Sequence, residues 1–267
     1  MNRLTKLFEN KDKNILSIFL TAGYPEFDST VPVIEALDKQ GIDMVEIGIP
    51  FSDPIADGPV IQSSSSKALN NGISLKVILH QIQEARKSVT SMPFILMGYF
   101  NPILKYGIEN FFRDAAKVGV DGVIIPDLPF DEYLSDLKKL SKQYDLPVIM
   151  LITPETSDER IRLIDNHCDG FIYMVSAAST TGVKDKYTPE QVEYFERINS
   201  MNLKHRRLIG FGISNPTTYN QANMYASGAI IGSHFVKCLE KCEGDPDKAV
   251  EMLLSTIGKN RQAPRNP

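Results

Sequence analysis

No apolar run in this 267-residue chain approaches the ~20 residues of a membrane-spanning helix. The opening Met1-Asn2-Arg3-Leu4-Thr5-Lys6-Leu7-Phe8 lacks a signal-peptide core. Three cysteines, an odd number, make no disulfide framework, and a reducing cytoplasm fits that usage. Basic residues are not in excess: 29 Lys and Arg stand against 33 Asp and Glu, a formal net charge of -4. That balance argues against a general nucleic-acid binder, which shows a concentrated basic surface. A dinucleotide fingerprint is missing too. The first apolar run ends Leu20-Thr21-Ala22-Gly23-Tyr24-Pro25, with one glycine and a proline, and Gly210-Phe211-Gly212 comes late and lacks the third glycine. There is no Pro/Gly-rich linker and no low-complexity tract. One domain over 1–267 is expected, its tail 261–267 frayed.

His234, Cys238 and Cys242 recur at four-residue spacing. Catalytic zinc sites rarely draw every ligand from one helix, so the spacing reads as a buried stripe in which Cys is a small hydrophobe. His80, His167 and His205 have no partners at a recognisable spacing and receive no role.

What is present is alternation. A hydrophobic share of 42% and a charged share of 23% are those of an ordinary soluble globular protein. Candidate strands are Ile15–Thr21, Ile42–Gly48, Phe94–Met97, Val120–Pro126, Pro147–Ile152, Gly170–Val175, Arg207–Phe211 and Ala229–Gly232. Between them lie stretches with helical spacing, such as Leu134, Leu137, Leu140 and Ile161, Ile164. Ser157-Asp158-Glu159 and Ser214-Asn215-Pro216 supply helix caps, the second with proline in the first turn. Strand–helix alternation means a parallel sheet with right-handed crossovers. Eight such units predict closure into a (β/α)8 barrel, which typically needs ~250 residues.

The second strand carries a carboxylate where apolar residues belong, in Val45-Glu46-Ile47-Gly48-Ile49-Pro50-Phe51-Ser52-Asp53-Pro54-Ile55-Ala56-Asp57-Gly58. Strand side chains alternate, so Glu46 shares a face with Met44 and Gly48, opposite Val45 and Ile47. A lone Glu there is commonly a structural ion pair, but the following loop adds breakers and two more acids. Burial raises a carboxyl pKa, and the pattern reads as an acid/base site at a strand's C-terminal end. The last two strands run into Gly210-Phe211-Gly212-Ile213-Ser214 and Ile231-Gly232-Ser233-His234. Glycine admits close approach of backbone N–H groups to an anion, and a helix start adds aligned donors. Together they predict a phosphate cup, with Thr180-Thr181-Gly182 as a third edge. The polar segment 176–188 is long for a βα loop and is expected to be mobile and to close over substrate.

The stretch Val45–Gly58 resembles the signature of the tryptophan synthase α subunit. Similar agreement extends to Phe19-Leu20-Thr21-Ala22-Gly23-Tyr24-Pro25, Met97-Gly98-Tyr99-Phe100-Asn101-Pro102, Pro126-Asp127-Leu128-Pro129 and both phosphate turns, so that it covers nearly the whole chain. The resemblance implies a barrel with an extra N-terminal helix and a short phosphate-binding helix near the eighth strand. It implies cofactor-free, retro-aldol cleavage of indole-3-glycerol phosphate to indole and glyceraldehyde 3-phosphate. Glu46 would be the acid/base and Asp57 the carboxylate at the indole nitrogen, while Asp53 shapes the loop or meets a partner. Phe19, Tyr99 and Tyr173 would line the indole pocket; Thr181, Gly182, Gly212, Gly232 and Ser233 would hold the phosphate. A pyridoxal-phosphate β subunit would be the partner, in an α2β2 heterotetramer, with Asp53-Pro54 and Asn101-Pro102 on loops at the shared surface. After Ser176 the chain has Ala177-Ala178-Ser179 where some relatives carry arginine or bulkier residues, so their closing contacts do not carry over. Competing readings are a freestanding indole-releasing lyase, another phosphate-binding barrel enzyme of aromatic amino-acid synthesis, and a regulatory or scaffolding subunit.

Overall fold

Strands β1 (Ile15–Thr21), β2 (Met44–Gly48), β3 (Phe94–Met97), β4 (Gly122–Ile124), β5 (Val148–Ile152), β6 (Phe171–Val175), β7 (Arg206–Gly210) and β8 (Gly228–Ile231) form because short β-branched and aromatic runs are bounded by turn residues. They close into a parallel barrel in sequence order, β1 pairing with both β2 and β8, in a computed structural model that describes residues 2–176 and 185–259. Two strands are shorter than their sequence patterns by more than a single residue. The Ile42 run begins pairing as a strand at Met44, and β4 stops at Ile124 because Ile125 opens a turn, its carbonyl accepting the Leu128 N–H at 3.1 Å. Asn101 and Pro102, expected in a loop, instead lie in the first turn of the helix Phe100–Tyr106. First-turn N–H groups have no intrahelical acceptor, so proline is tolerated there.

Alternation divides each strand between two cores. Leu16, Ile18, Val45 and Ile47 face outward into the apolar layer beneath the helices. Ile15, Met44, Ile95, Ile124, Ile149 and Phe171 fill the lumen. The helix Arg3–Asn10 adds Leu4 to that inner core and closes the barrel's N-terminal end. Asn2 fixes it there: Oδ1 accepts from Leu4 N–H at 2.8 Å, and Nδ2 donates to the carbonyls of Asp121 and Asp145 at 3.0 and 2.9 Å.

Carboxylates tie the strand starts at the same end. Asp43 accepts from the Leu16 N–H at 2.9 Å and from Lys11 Nζ at 2.7 Å. Buried Asp121 accepts from the Phe94 N–H at 2.9 Å, Arg86 Nη2 at 2.6 Å and Arg3 Nη1 at 2.9 Å. Arg86 also donates to the carbonyls of Gly119, Val89 and Met92, at 2.9, 3.0 and 2.7 Å. Removing one member of such a buried network leaves the other charge uncompensated. Asp121→Ala is therefore expected to cost about 3–5 kcal/mol of stability, read from urea unfolding midpoints.

Candidate active site

Glu46 points into the lumen, and its side chain is 0% exposed. Ser17 Oγ donates to Oε1 at 2.9 Å, whereas Oε2 is buried with no hydrogen-bond partner among the described residues. Burial pushes the carboxyl up to about 8, and the Ser17 hydroxyl pulls it back part of the way. At neutral pH the group is a protonated acid in an apolar setting.

The loop after β2 brings a second carboxyl over the same end of the barrel. Gln62, on the helix Pro59–Asn70, donates from Nε2 to the carbonyls of Asp57 at 2.8 Å and Pro54 at 3.4 Å, which pins the loop's path. Tyr99, just past β3, accepts from the Ala56 N–H at 2.9 Å and donates to Asp57 Oδ2 at 3.1 Å. Its ring lies 5.2 Å from that of Phe51. Burial raises the Asp57 pKa, and the Tyr99 hydroxyl opposes the rise. Asp53 stays outside this group: it is exposed and accepts from Ser52 Oγ at 2.5 Å.

Tyr173 is coupled electrostatically to both carboxyls. It is buried at the middle of β6. Burial raises its hydroxyl well above the ordinary range, and negative charge on Glu46 and Asp57 raises it further. Both carboxyls therefore lie within electrostatic range of one phenol. Neighbouring glycines make room for the aromatic rings. A Cβ on Gly210 would stand 2.1 Å from Tyr173 Oη, and one on Gly48 would stand 2.4 Å from Phe19 Cζ. A Cβ on Gly232 would lie 3.4 Å from Phe19 Cβ, so Phe19 connects the β2 side of the pocket to the turn after β8.

That turn and the one after β7 are the two expected to cradle an anion. Phe211 and Gly212 both take left-handed backbone, at φ 73° and 75°. The Phe211 carbonyl is held by Ser176 Oγ at 2.9 Å and by the Tyr187 hydroxyl at 3.4 Å. Gly232 caps the helix Ser233–Lys241, and among the described residues no side chain caps that helix's first N–H groups. Gly232 and Ser233 thus offer backbone donors beside Phe19. Thr181 and Gly182, with 177–184 of the polar loop and the tail 260–267, lie outside the described residues.

Ser17, Gln62 and Ser176 were absent from the sequence-derived set. Ser17 had a readable signal, since period-two alternation along Ile15–Thr21 puts a hydroxyl on the lumen face. Gln62 and Ser176 act through distant backbone carbonyls and had none. His234 Nε2 lies 2.7 Å from Thr256 Oγ1, and Cys238 is buried with its thiol pushed up to about 11. His205, given no role, sits 3.0 Å from Asp165.

The family model described as tryptophan synthase alpha chain matches residues 5–264. This chain belongs to the tryptophan synthase alpha chain family. The alpha chain of Phocaeicola vulgatus is 52% identical over 257 residues, which cover 96% of this chain and 99% of that one. The crystal structure of the Legionella pneumophila alpha chain superposes with a TM-score of 0.86 at 35% identity, covering 96% of each chain. The tryptophan synthase complex of Pyrococcus furiosus superposes with a TM-score of 0.81 at 30% identity, covering 92% of this chain and 98% of that chain. In alpha-chain terms, Asp57 and the two glycine turns follow the C-terminal ends of strands, where barrels of this type carry their sites, while Glu46 lies mid-strand in β2 and not at the strand end expected for it.

The contact between Tyr173 and Gly210 admits no side chain without rearrangement. Gly210→Ala is expected to displace the phenol and lower turnover about tenfold or more, within the roughly 1–3 kcal/mol of an overpacked site. Adding Tyr173→Ala should cost less than the sum of the two single changes, as a double-mutant cycle on kcat/KM will read.

Proposed function

We propose that Glu46 and Asp57 carry, in this chain, the lyase reaction of the tryptophan synthase alpha chain: cleavage of indole-3-glycerol phosphate to indole and glyceraldehyde 3-phosphate. The observation that supports this assignment is a fully buried Glu46 carboxyl on β2, with Asp57 held by Tyr99 on the loop that follows the same strand.

Glu46 donates its proton to indole C3, which makes that carbon tetrahedral and leaves the ring cationic. The Asp57 carboxylate stands at the ring N–H and stabilises the positive charge. Glu46, now ionised, takes the proton from the glycerol hydroxyl on the adjoining carbon. The C–O bond becomes a carbonyl, the carbon–carbon bond breaks, and its electron pair returns to the indole ring. Indole and the aldehyde are formed, and Glu46 ends protonated as it began. No carbanion forms, and no redox step occurs. A single carboxyl with a pKa near 8 is matched to both transfers near neutrality. Phe19, Tyr99 and Tyr173 enclose the ring, while Gly212, Gly232 and Ser233, with Thr181 and Gly182 from the polar loop, hold the phosphate. The chain itself uses no cofactor in these steps.

A β subunit as partner accounts for two exposed apolar side chains beside the site. Ile55, on the loop with Asp57, is 85% exposed, and Leu104, on the helix Phe100–Tyr106, is 48% exposed. Asp53, Pro54, Asn101 and Pro102 lie on those same two segments. We assign this face to the β subunit, which would carry the pyridoxal phosphate, in an α2β2 assembly. No helix among the described residues is long and apolar enough to cross a membrane, and a cytoplasmic setting is the simplest for such an assembly.

Glu46→Gln is expected to lower kcat by at least about a hundredfold, the usual scale for a lost acid/base group. The same residue gives stability a pH dependence. Its folded pKa of about 8 lies above the ordinary carboxyl value of 4.5, so the folded chain holds a proton that the unfolded chain has released. Stability therefore falls as pH rises from that ordinary range to about 8, then levels off. Across this window Tm of the parent should fall more steeply than Tm of Glu46→Gln, as scanning calorimetry will read. Separately, Ile55→Asp should weaken β-subunit binding roughly thirtyfold, the scale of an interface anchor, by titration calorimetry.

A further inference from the structure

Among the described residues Ser17 is the sole hydrogen-bond partner of the Glu46 side chain. The β1–β2 register sets Phe19 beside Glu46 and Ser17 beside Met44. Ser17 therefore reaches the carboxyl diagonally, from the lumen layer one step closer to the closed end. It engages Oε1 at 2.9 Å and is itself fully buried. Oε2 is buried and unpartnered. On a neutral carboxyl, the oxygen that accepts the Ser17 hydrogen bond is the carbonyl oxygen, which leaves the proton to the other.

We propose that Ser17 is a positioning residue: its hydroxyl holds Glu46 in one orientation and confines the transferable proton to Oε2, the oxygen left to meet the substrate carbon. This rests on the acid/base reading of Glu46 given above. The terminal torsion of a glutamate is broad and nearly two-fold, so an untethered carboxyl would spread its proton over both oxygens. A second effect follows from charge. Once the proton has been given up, Oε1 belongs to a carboxylate, and a hydrogen bond to an ionised group is stronger than one to a neutral group. Ser17 thus favours the state that follows donation and makes Glu46 a stronger acid than burial alone would allow.

Few other groups act on that equilibrium. Among the described residues, the titratable side chains coupled to this site are Tyr173 from β6, whose ionisation Glu46 opposes, and Asp57 from the loop after β2, which opposes the same ionisation. The residues paired directly beside Glu46, Phe19 on β1 and Ile95 on β3, are apolar, so Ser17 is the polar group that β1 supplies. Its shift has two causes, burial and the Ser17 hydroxyl.

The test compares the full parent chain with Ser17→Ala, Ser17→Thr and Glu46→Gln on indole-3-glycerol phosphate from pH 6 to 10. Two independent readouts are the pH profile of turnover and the infrared C=O stretch of the protonated carboxyl, identified as the band that Glu46→Gln lacks. Ser17→Ala should lower kcat about tenfold and change KM by less than roughly twofold, because a positioning hydroxyl acts on the reaction step rather than on binding. The infrared midpoint and the alkaline limb should both rise by about one pH unit, the scale of one hydrogen bond to a charged group. Ser17→Thr, which keeps the hydroxyl, should return both toward the parent. An unmoved infrared midpoint in Ser17→Ala would overturn the proposal even if activity fell, since lost packing would explain the fall. An active Glu46→Gln would instead overturn the Glu46 assignment, and the Ser17 role with it, so the two failures are distinguishable.

Discussion

A carboxyl enclosed by isoleucine, methionine and phenylalanine side chains cannot hold charge as cheaply as one in water. The surroundings of Glu46 follow from that constraint. Burial keeps its proton on at neutral pH, one serine restrains it, and no cation among the described residues neutralises it. The same carboxyl at the barrel's other end would behave in the opposite way. Asp121 is also buried, yet two arginines and a backbone N–H surround it. A partnered acid fixes structure; an unpartnered one stores reactivity. The barrel uses one kind at each rim.

That polarity also explains why the aromatic and glycine residues occur in pairs. Tyr173 needs the space over Gly210, and Phe19 needs the space over Gly48. Each ring lies against backbone with no side chain between, so each is placed by the sheet itself and not by a mobile neighbour. Strand ends give the turns, and the turn after β8, part of the proposed anion site, stands two strands away from the strand of Glu46. A substrate with an aromatic ring at one end and a phosphate at the other spans that distance. Tryptophan synthase alpha chains act on such a molecule.

Much of this could be read from residue order. The eight strands were legible because each apolar run is bounded by glycine, proline or polar residues, and β1 and β3 have the expected bounds. Period-two alternation put Glu46 on one face with Met44, and barrel closure made that face the lumen. Strand ends were less legible where a turn competes, as at Ile125, and a proline misled at Pro102, since a helix's first turn accepts what its interior rejects. The depth of Tyr173 was not legible, because barrel closure and strand register, not local sequence, decide which strand position meets the mouth. Ser17 was overlooked for a related reason. A small hydroxyl in an apolar strand gains meaning only when pairing brings a carboxyl diagonally across from it.

The plugged floor of the barrel has one further consequence. Leu4 and the helix that carries it, the ion network around Asp121 and the packed inner layer leave the vessel blind at that end. With that end packed, the phosphorylated molecule and the neutral aromatic fragment are left to pass on the side of the opposite mouth. Whatever sits on that threshold governs the fragment's fate without touching the bond that breaks.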